Sequence, residues 1–454
     1  MSFVAVFITI IIAAIGAFGA TTSTGLMVIA AVVGCAALFW RPLLFSTLAL
    51  VVCQEINPKF GQGGLTVLGY QFYFVEFGSL PIVFYFFVAA AVVAAIKYDW
   101  SDKLSAASDK RPLLVILIFL ALSISIGLFA GLNIPSVFGQ VARPLMLFLL
   151  AWLVGAYSPQ EAGGKSLAVV VGLSMVGLAM VGLPVAATGG GLSLGGRLVY
   201  YDTATAAVAA AVLLAILRQR ARSAVTVAAA ICSAVVLLVS FRRSVLVALV
   251  LILLLTGLVN RAFRRVILRV IAVGTALVLL GLLTVQNLIV SFWDRIVSSY
   301  ETLGGAASDE STQGHVDDIR IGLDYAFANP GGYGPASPQL PGFLTQGSSI
   351  YVHDEVLLNW LRFGLTGLVL SAVIIYIFTR TSFAVVLRPR LEFSTIFYCA
   401  AYFIPIYLIA SFTAPFMMTT SRWPALLGIA FGILSRASTN GLSVQGLGRQ
   451  NTKF

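Results

Sequence analysis

Charge is scarce in this chain. Of its 454 residues only 10% are charged while 59% are hydrophobic, against roughly 25% charged in an ordinary soluble protein. That balance excludes a soluble globular domain. Cysteine is almost as rare: Cys35, Cys53, Cys232 and Cys399 lie in or beside apolar runs, form no Cys-x-x-Cys pair and have no histidine in step with them. A zinc ribbon and a disulfide scaffold are therefore both poor descriptions, and the four read as small lipid- or core-facing side chains. There are two histidines, His315 and His353, and no Asp-x-Asp pair of the kind nucleotide-sugar enzymes use to hold a divalent ion. No Lys or Arg precedes Arg41, so the first residues lack the basic stretch of a cleaved signal and read as a first membrane span.

What the chain has in quantity is apolar runs. A spanning helix needs about 20 mostly apolar residues, because the hydrocarbon core is ~30 Å thick. Runs of that kind recur at about 3–20, 25–40, 42–54, 79–96, 113–131, 143–157, 166–187, 203–217, 224–240, 244–259, 266–290, 355–378, 394–412 and 423–436. The expected fold is all-α: a polytopic transmembrane helix bundle of 12 to 14 spans. It forms one integral membrane domain over 1–454, with a large extracytoplasmic loop at 291–352 and a tail at 437–454.

The net charge of +11 has a topological meaning in such a chain and does not indicate a nucleic-acid partner. Assigning alternate connections to one side collects 19 of the 28 basic residues there, which identifies that side as the cytoplasm and puts both termini inside. The other nine are Lys59, Arg143, Arg197, Arg242, Arg243, Arg295, Arg320, Arg362 and Arg422. Eight of these are arginine, whose planar fork of donors suits phosphate or carboxylate better than lysine does. Taken singly, each also fits a side chain snorkelling to outer headgroups or capping a helix C-terminus.

Arg197 follows "GGGLSLGG", where glycine lets backbone amides come close to a ligand. Arg242 and Arg243 occupy a hairpin with almost no loop. Adjacent on a helix, they would point about 100° apart, so one of the two faces any given site. Arg143, Arg320 and Arg422 are further candidate substrate contacts, as is Asp354 beside His353.

Within the 291–352 loop, Val316, Ile319, Leu323 and Phe327 recur at helical spacing, while Asp317, Arg320 and Asp324 share the opposite face. Two readings fit: an amphipathic helix across the outer mouth of the bundle, or a solvated surface helix. The "NPGG" break ends it, and His315 reads as an exposed loop residue. His353 ends the loop and begins the next span. Gly364, eleven residues on, falls on the same helical stripe and roughly 16 Å deeper. Gly367 and Ser371 continue a small-residue strip that admits a neighbouring helix. Arg362 points to the other side. With an ordinary pKa near 6.5, His353 is the side chain best suited to take a proton at neutral pH.

His353-Asp354, nine residues, then Gly364-Leu365-Thr366-Gly367, together with "YAFANPGGYGP" upstream and the "SFRRSVL" run, resemble the O-antigen ligase and polymerase superfamily of bacterial cell envelopes. The likeness is clear over about 190–375 and only topological elsewhere. It implies a glycosyltransferase of the bacterial inner membrane, with its active site on the outer side. The enzyme would move a glycan from an undecaprenyl-pyrophosphate carrier to a glycan or lipid acceptor hydroxyl, with inversion and with no metal or other cofactor. In that family's terms His353 is the general base, and Arg197 with one of Arg242 and Arg243 holds the departing pyrophosphate. The family's ligases carry Asn, Ser or Gln where Asp354 stands, which tilts the reading towards a polymerase over a ligase of lipid A core. A transporter or flippase of the same lipid-linked glycans is the alternative from another class. Charge gathered at one rim, with nearly charge-free span centres and no internal repeat, speaks for surface chemistry over passage.

Overall fold

The computed structural model describes, apart from isolated positions, residues 36–56, 64–78, 80–98, 111–132, 134–158, 165–187, 199–219, 223–240, 242–260, 310–335, 345–346, 349–387 and 394–437. The expected spans at 3–20 and 266–290, most of 25–40, and the tail beyond 437 lie outside them, as does Cys35.

The described chain is helical. In order it forms α1 (Pro42–Val52), α2 (Gly64–Phe74), α3 (Ile82–Lys97), α4 (Arg111–Phe129), α5 (Ile134–Val137), α6 (Arg143–Tyr157), α7 (Lys165–Ala187), α8 (Thr203–Gln219), α9 (Ala224–Ser240) and α10 (Arg243–Val259). There follow α11 (Glu310–Ala328), α12 (Glu355–Val386), α13 (Thr395–Ala410), α14 (Phe416–Thr419) and α15 (Arg422–Ala437). Two antiparallel two-residue ribbons decorate the connections: β1 (Glu76–Phe77) with β2 (Leu80–Pro81), and β3 (Thr345–Gln346) with β4 (Ser349–Ile350). Among the described residues, Lys165–Pro184 and Glu355–Val386 are long and apolar enough to cross a bilayer, and nine further apolar helices are shorter. The chain is a helical membrane protein.

The described helices follow the apolar runs closely, with two differences. Helix α2 stands where an outer connection was expected, because "GLTVLGYQFYF" is aromatic without forming a long aliphatic run. Helix α12 runs further than 378 but is interrupted at Gly364.

Small residues set the closest packing. Helices α6 and α15 press together where a Cβ on Gly428 would strike the Phe148 carbonyl and one on Gly432 the Trp152 carbonyl. Such small-xxx-small faces let backbones approach when lipid supplies no hydrophobic drive between helices. Phe378 fills the adjoining space, 4.1 Å from Phe431 and 6.1 Å from Phe148 between ring centres. Helix α8, alanine-rich and buried over most of its surface, packs against α9, α10 and α13.

The connections sort to two ends. At one end Glu161 accepts the Leu44 N–H at 3.0 Å and the Tyr98 hydroxyl at 2.6 Å. At that end too Arg218 lies over the rings of Phe263 and Tyr398. At the other end a buried network ties α1, α8 and α15. Arg422, with no exposed surface, donates to the carbonyls of Leu50 and Val51, to Thr205 Oγ1 and to the Asp202 carboxylate. Burial alone would raise Asp202, but the Arg422 charge and the N–H groups of Thr205 and Glu55 hold it below its ordinary value. Glu55 in turn accepts the N–H groups of Ser421 and Arg422 at 2.8 Å each. Burial, helped by the charge of Asp202, lifts Glu55 from 4.5 to about 7 against those two N–H groups and Arg143.

Two outcomes follow from this network. Asp202→Ala strands a buried guanidinium and should cost about 3–5 kcal/mol, read as a fall in unfolding free energy of the detergent-solubilised protein. Glu55 binds its proton more tightly folded than unfolded between pH 4.5 and 7, so its contribution to stability falls as pH rises through that interval. Glu55→Gln should flatten that part of the stability profile, and an unchanged slope would remove Glu55 as its source.

Candidate active site

His353 stands in the short stretch between β4 and α12, and Asp354 is the N-cap of α12. The Asp354 carboxylate accepts the Leu357 N–H at 2.7 Å, one of the donors a helix start leaves unsatisfied. Burial raises the Asp354 carboxyl, and the N–H groups of Leu357 and Val356 oppose the rise. Asn and Ser cap a helix as Asp does. The cap role by itself therefore does not separate a polymerase from a ligase.

The imidazole has a partner that spacing did not reveal. His353 Nδ1 is hydrogen-bonded to Asp318 Oδ2, across 35 residues of sequence. The His353 side chain is 34% exposed and that of Asp318 11%. The rings of His315 and Tyr351 stand edge-on to His353, with centres 4.0 Å and 5.2 Å away. Burial, and then the charge of Asp318, push the Tyr351 hydroxyl up. A carboxylate on Nδ1 fixes the proton there and leaves the Nε2 lone pair free to accept another. Chemically, such an arrangement can serve as a general base.

Asp318 arrives through α11, whose orientation differs from the expected one. Asp318, Gly322 and Ala326, at four-residue spacing, face inward and are buried. Val316 and Phe327, assigned to the apolar face, are 41% and 67% exposed, while Ile319 and Leu323 of that face are half-buried against the core. His315 is a half-buried helix residue and not an exposed loop residue. The register is set by close packing: a Cβ on Gly322 would lie 2.9 Å from Leu357 Cδ2. Asp317 was placed on the polar face, and the residue that reaches His353 is its neighbour, about 100° further round.

The loop after α11 threads the interruption in α12. Gly364 has φ 64° and ψ −156°, so the helix stops and restarts there and Gly364 does not continue a stripe under His353. The freed carbonyls of Leu361 and Arg362 accept the N–H groups of Tyr333 at 2.7 Å and Gly334 at 3.0 Å, while the Leu365 N–H donates to the Pro330 carbonyl at 2.9 Å. Backbone groups released by the break are thereby given new partners, as a low-dielectric surrounding demands. A Cβ on Gly364 would lie 2.5 Å from Gly331. A Cβ on Gly367 would strike the Asn359 carbonyl. The Gly-x-x-Gly pair thus admits a loop and the helix's own first half, where a neighbouring helix was expected.

The arginines divide. Arg242 is extended, outside α10, and not on a helix with Arg243 as expected. It turns back on the stretch before α8, donating to the Tyr201 carbonyl through Nε at 2.9 Å and through Nη2, with its guanidinium carbon 5.0 Å from the Tyr200 ring centre. Arg243 is the first, half-buried residue of α10. Arg197 lies outside the described residues. Arg320 is exposed on α11, two residues from Asp318. Arg143 faces Glu76 at 3.6 Å, and Arg422 is taken up by the buried network. Asp202, next to Tyr201, accepts the Glu55 N–H at 2.9 Å and Glu55 the Ser421 N–H at 2.8 Å, while Glu355, two residues after His353, accepts the Met417 N–H at 3.2 Å and the Tyr407 hydroxyl at 2.9 Å.

Residues 228–372 match the family model described as O-antigen ligase. The match takes in Arg242, Arg243, Asp318, His353, Gly364 and Gly367 and leaves out Arg143, Arg197 and Arg422. No curated protein matches the chain.

Gly364→Ala places a side chain in a conformation that is essentially glycine's own, a strain of about 1–3 kcal/mol before the clash with Gly331 is counted. The variant should lower the melting temperature and open the 329–335 segment to protease. Gly314→Ala, which meets nothing within 4 Å, should leave both readouts unchanged or slightly improved.

Proposed function

We propose that this chain, whose residues 228–372 match the family model described as O-antigen ligase, transfers a glycan from an undecaprenyl-pyrophosphate carrier to an acceptor hydroxyl. The Asp318–His353 pair carries this reading. His353 Nε2 takes the proton of the acceptor hydroxyl as its oxygen forms a bond to the anomeric carbon. The bond from that carbon to the pyrophosphate oxygen breaks, the configuration inverts, and undecaprenyl pyrophosphate departs with the electron pair. Asp318 holds the ring in the productive tautomer and stabilises the imidazolium that forms. Arg242, with Arg197 and Arg243 as neighbours in sequence or in the adjoining connection, balances the charge growing on the leaving group. Guanidinium groups then do what a divalent cation does in nucleotide-sugar enzymes.

The basic residues, concentrated in alternate connections, orient the protein in the bacterial inner membrane with both termini cytoplasmic and the site outside. A second carrier-linked repeat unit as acceptor makes the protein a polymerase; lipid A core as acceptor makes it a ligase.

The test is purified protein in lipid nanodiscs with synthetic carrier-linked repeat units, scored by release of undecaprenyl pyrophosphate. His353→Ala should reduce the rate by about 10²–10⁴, and Arg197→Ala should abolish chain growth, with normal insertion in both. Asp318→Asn should lower the turnover rate while leaving the half-saturating donor concentration nearly unchanged. Full transfer by His353→Ala would refute the assigned base. Movement of substrate across vesicles without any release would make the protein a transporter.

A further inference from the structure

Among the described outer arginines, Arg362 is the one with two nitrogens sealed in and unspent. It lies on the first half of α12, at 3% exposure, and its Nη2 donates to the Ile350 carbonyl at 2.6 Å. Nε and Nη1 are buried and have no hydrogen-bond partner among the described residues. Ile350 is three residues before His353, so this guanidinium stands beside the stretch that carries the proposed base. The backbone of the same residue is fixed by the Gly334 N–H at 3.0 Å.

The carboxylate best placed to neutralise it is committed elsewhere. Glu355, seven residues earlier on the same face of α12, is held by Tyr407 and the Met417 N–H. A desolvated guanidinium with two idle nitrogens is costly unless something fills them. Arg422 shows how this fold treats an arginine with a purely structural role, since its three nitrogens all find protein acceptors.

We propose that Arg362 is an oxyanion-binding residue of the glycan site, its two unspent donors taking a carboxylate or phosphate oxygen of the lipid-linked substrate. The proposal rests on the glycan-transfer reading for the identity of that substrate, but the binding stands on geometry alone. Desolvated in advance, the guanidinium holds an oxyanion more strongly than an exposed arginine does. The oxyanion belongs either to the carrier's pyrophosphate or to an acidic sugar of the repeat unit.

Thermal unfolding of the full chain in nanodiscs, titrated with inorganic pyrophosphate and separately with sodium glucuronate, tests the site. One of the two should raise the melting temperature of the unsubstituted protein, and which one identifies the source of the oxyanion. Arg362→Met should weaken that apparent affinity about tenfold or more and, without the probe, unfold no earlier than the parent. Arg362→Lys should recover part of the affinity. The proposal is overturned if neither probe stabilises the parent, if Arg362→Met responds like the parent, or if Arg362→Met unfolds early without probe, which would make the residue a strut for Ile350. His353→Ala should keep the probe response, so a failure of the catalytic assignment is seen separately from a failure of this site.

Discussion

The arrangement around His353 depends on a loop that completes a broken helix. Helix α12 gives up its own backbone hydrogen bonds at Gly364, and residues 330–334 supply replacements from both sides of the gap. An unsatisfied peptide group costs several kcal/mol in surroundings of this kind, so the loop cannot leave without leaving those groups exposed. Helix α11 ends where the loop begins, and Asp318 is thereby held against a histidine at the opposite end of the same half-helix. A backbone repair in one place fixes a side-chain pair in another.

The second constraint is the Arg422 network. It joins α1, α8 and α15 through one guanidinium, and the residue it grips, Asp202, follows the Tyr200–Tyr201 stretch on which Arg242 rests. Arg422 was a candidate ligand because it breaks the positive-inside pattern. Its burial and full set of protein acceptors give it a structural role, which breaks that pattern equally well. The charge bias identifies arginines that need a reason; burial and partners supply the reason.

Most of the described helices were legible because membrane spans leave a strong trace: long apolar runs with few charges. Helix α2 left no such trace, being short and aromatic. His353 was legible for its rarity and its titration range, and Arg242 and Arg243 for their place in a tight hairpin. Asp318 was not. Its partner lies 35 residues away, and of the four residues given to the apolar face Ile319 and Leu323 pack against the core while Val316 and Phe327 are exposed. Apolar periodicity assumes that the buried face is wholly apolar, whereas the most buried line of α11 is Asp318, Gly322 and Ala326, with Gly322 set close against Leu357 and Val352. The doubled Asp317-Asp318 next to His315 was the available signal. Gly364 and Gly367 were noticed for their spacing, but a break in a helix is invisible to a periodicity that presumes the helix continues.

Three arginines of one chemical type end in three states, and the difference lies in how many donors the protein itself satisfies. Arg422 has acceptors on every nitrogen. Arg242 is aligned by a carbonyl and a tyrosine ring at the edge of a connection. Arg362 is nearly as buried as Arg422 but is held at a single nitrogen. A guanidinium sealed in without partners weakens the fold, and a Met or Leu of similar volume would fill the space at lower cost. The first half of α12, from the Asp354 cap to the Gly364 break, buries Leu357, Leu358, Leu361 and Phe363, so the guanidinium is set into a largely apolar packing. The same short segment sets the base at one end and the loop that positions its carboxylate at the other, with the under-satisfied cation between them.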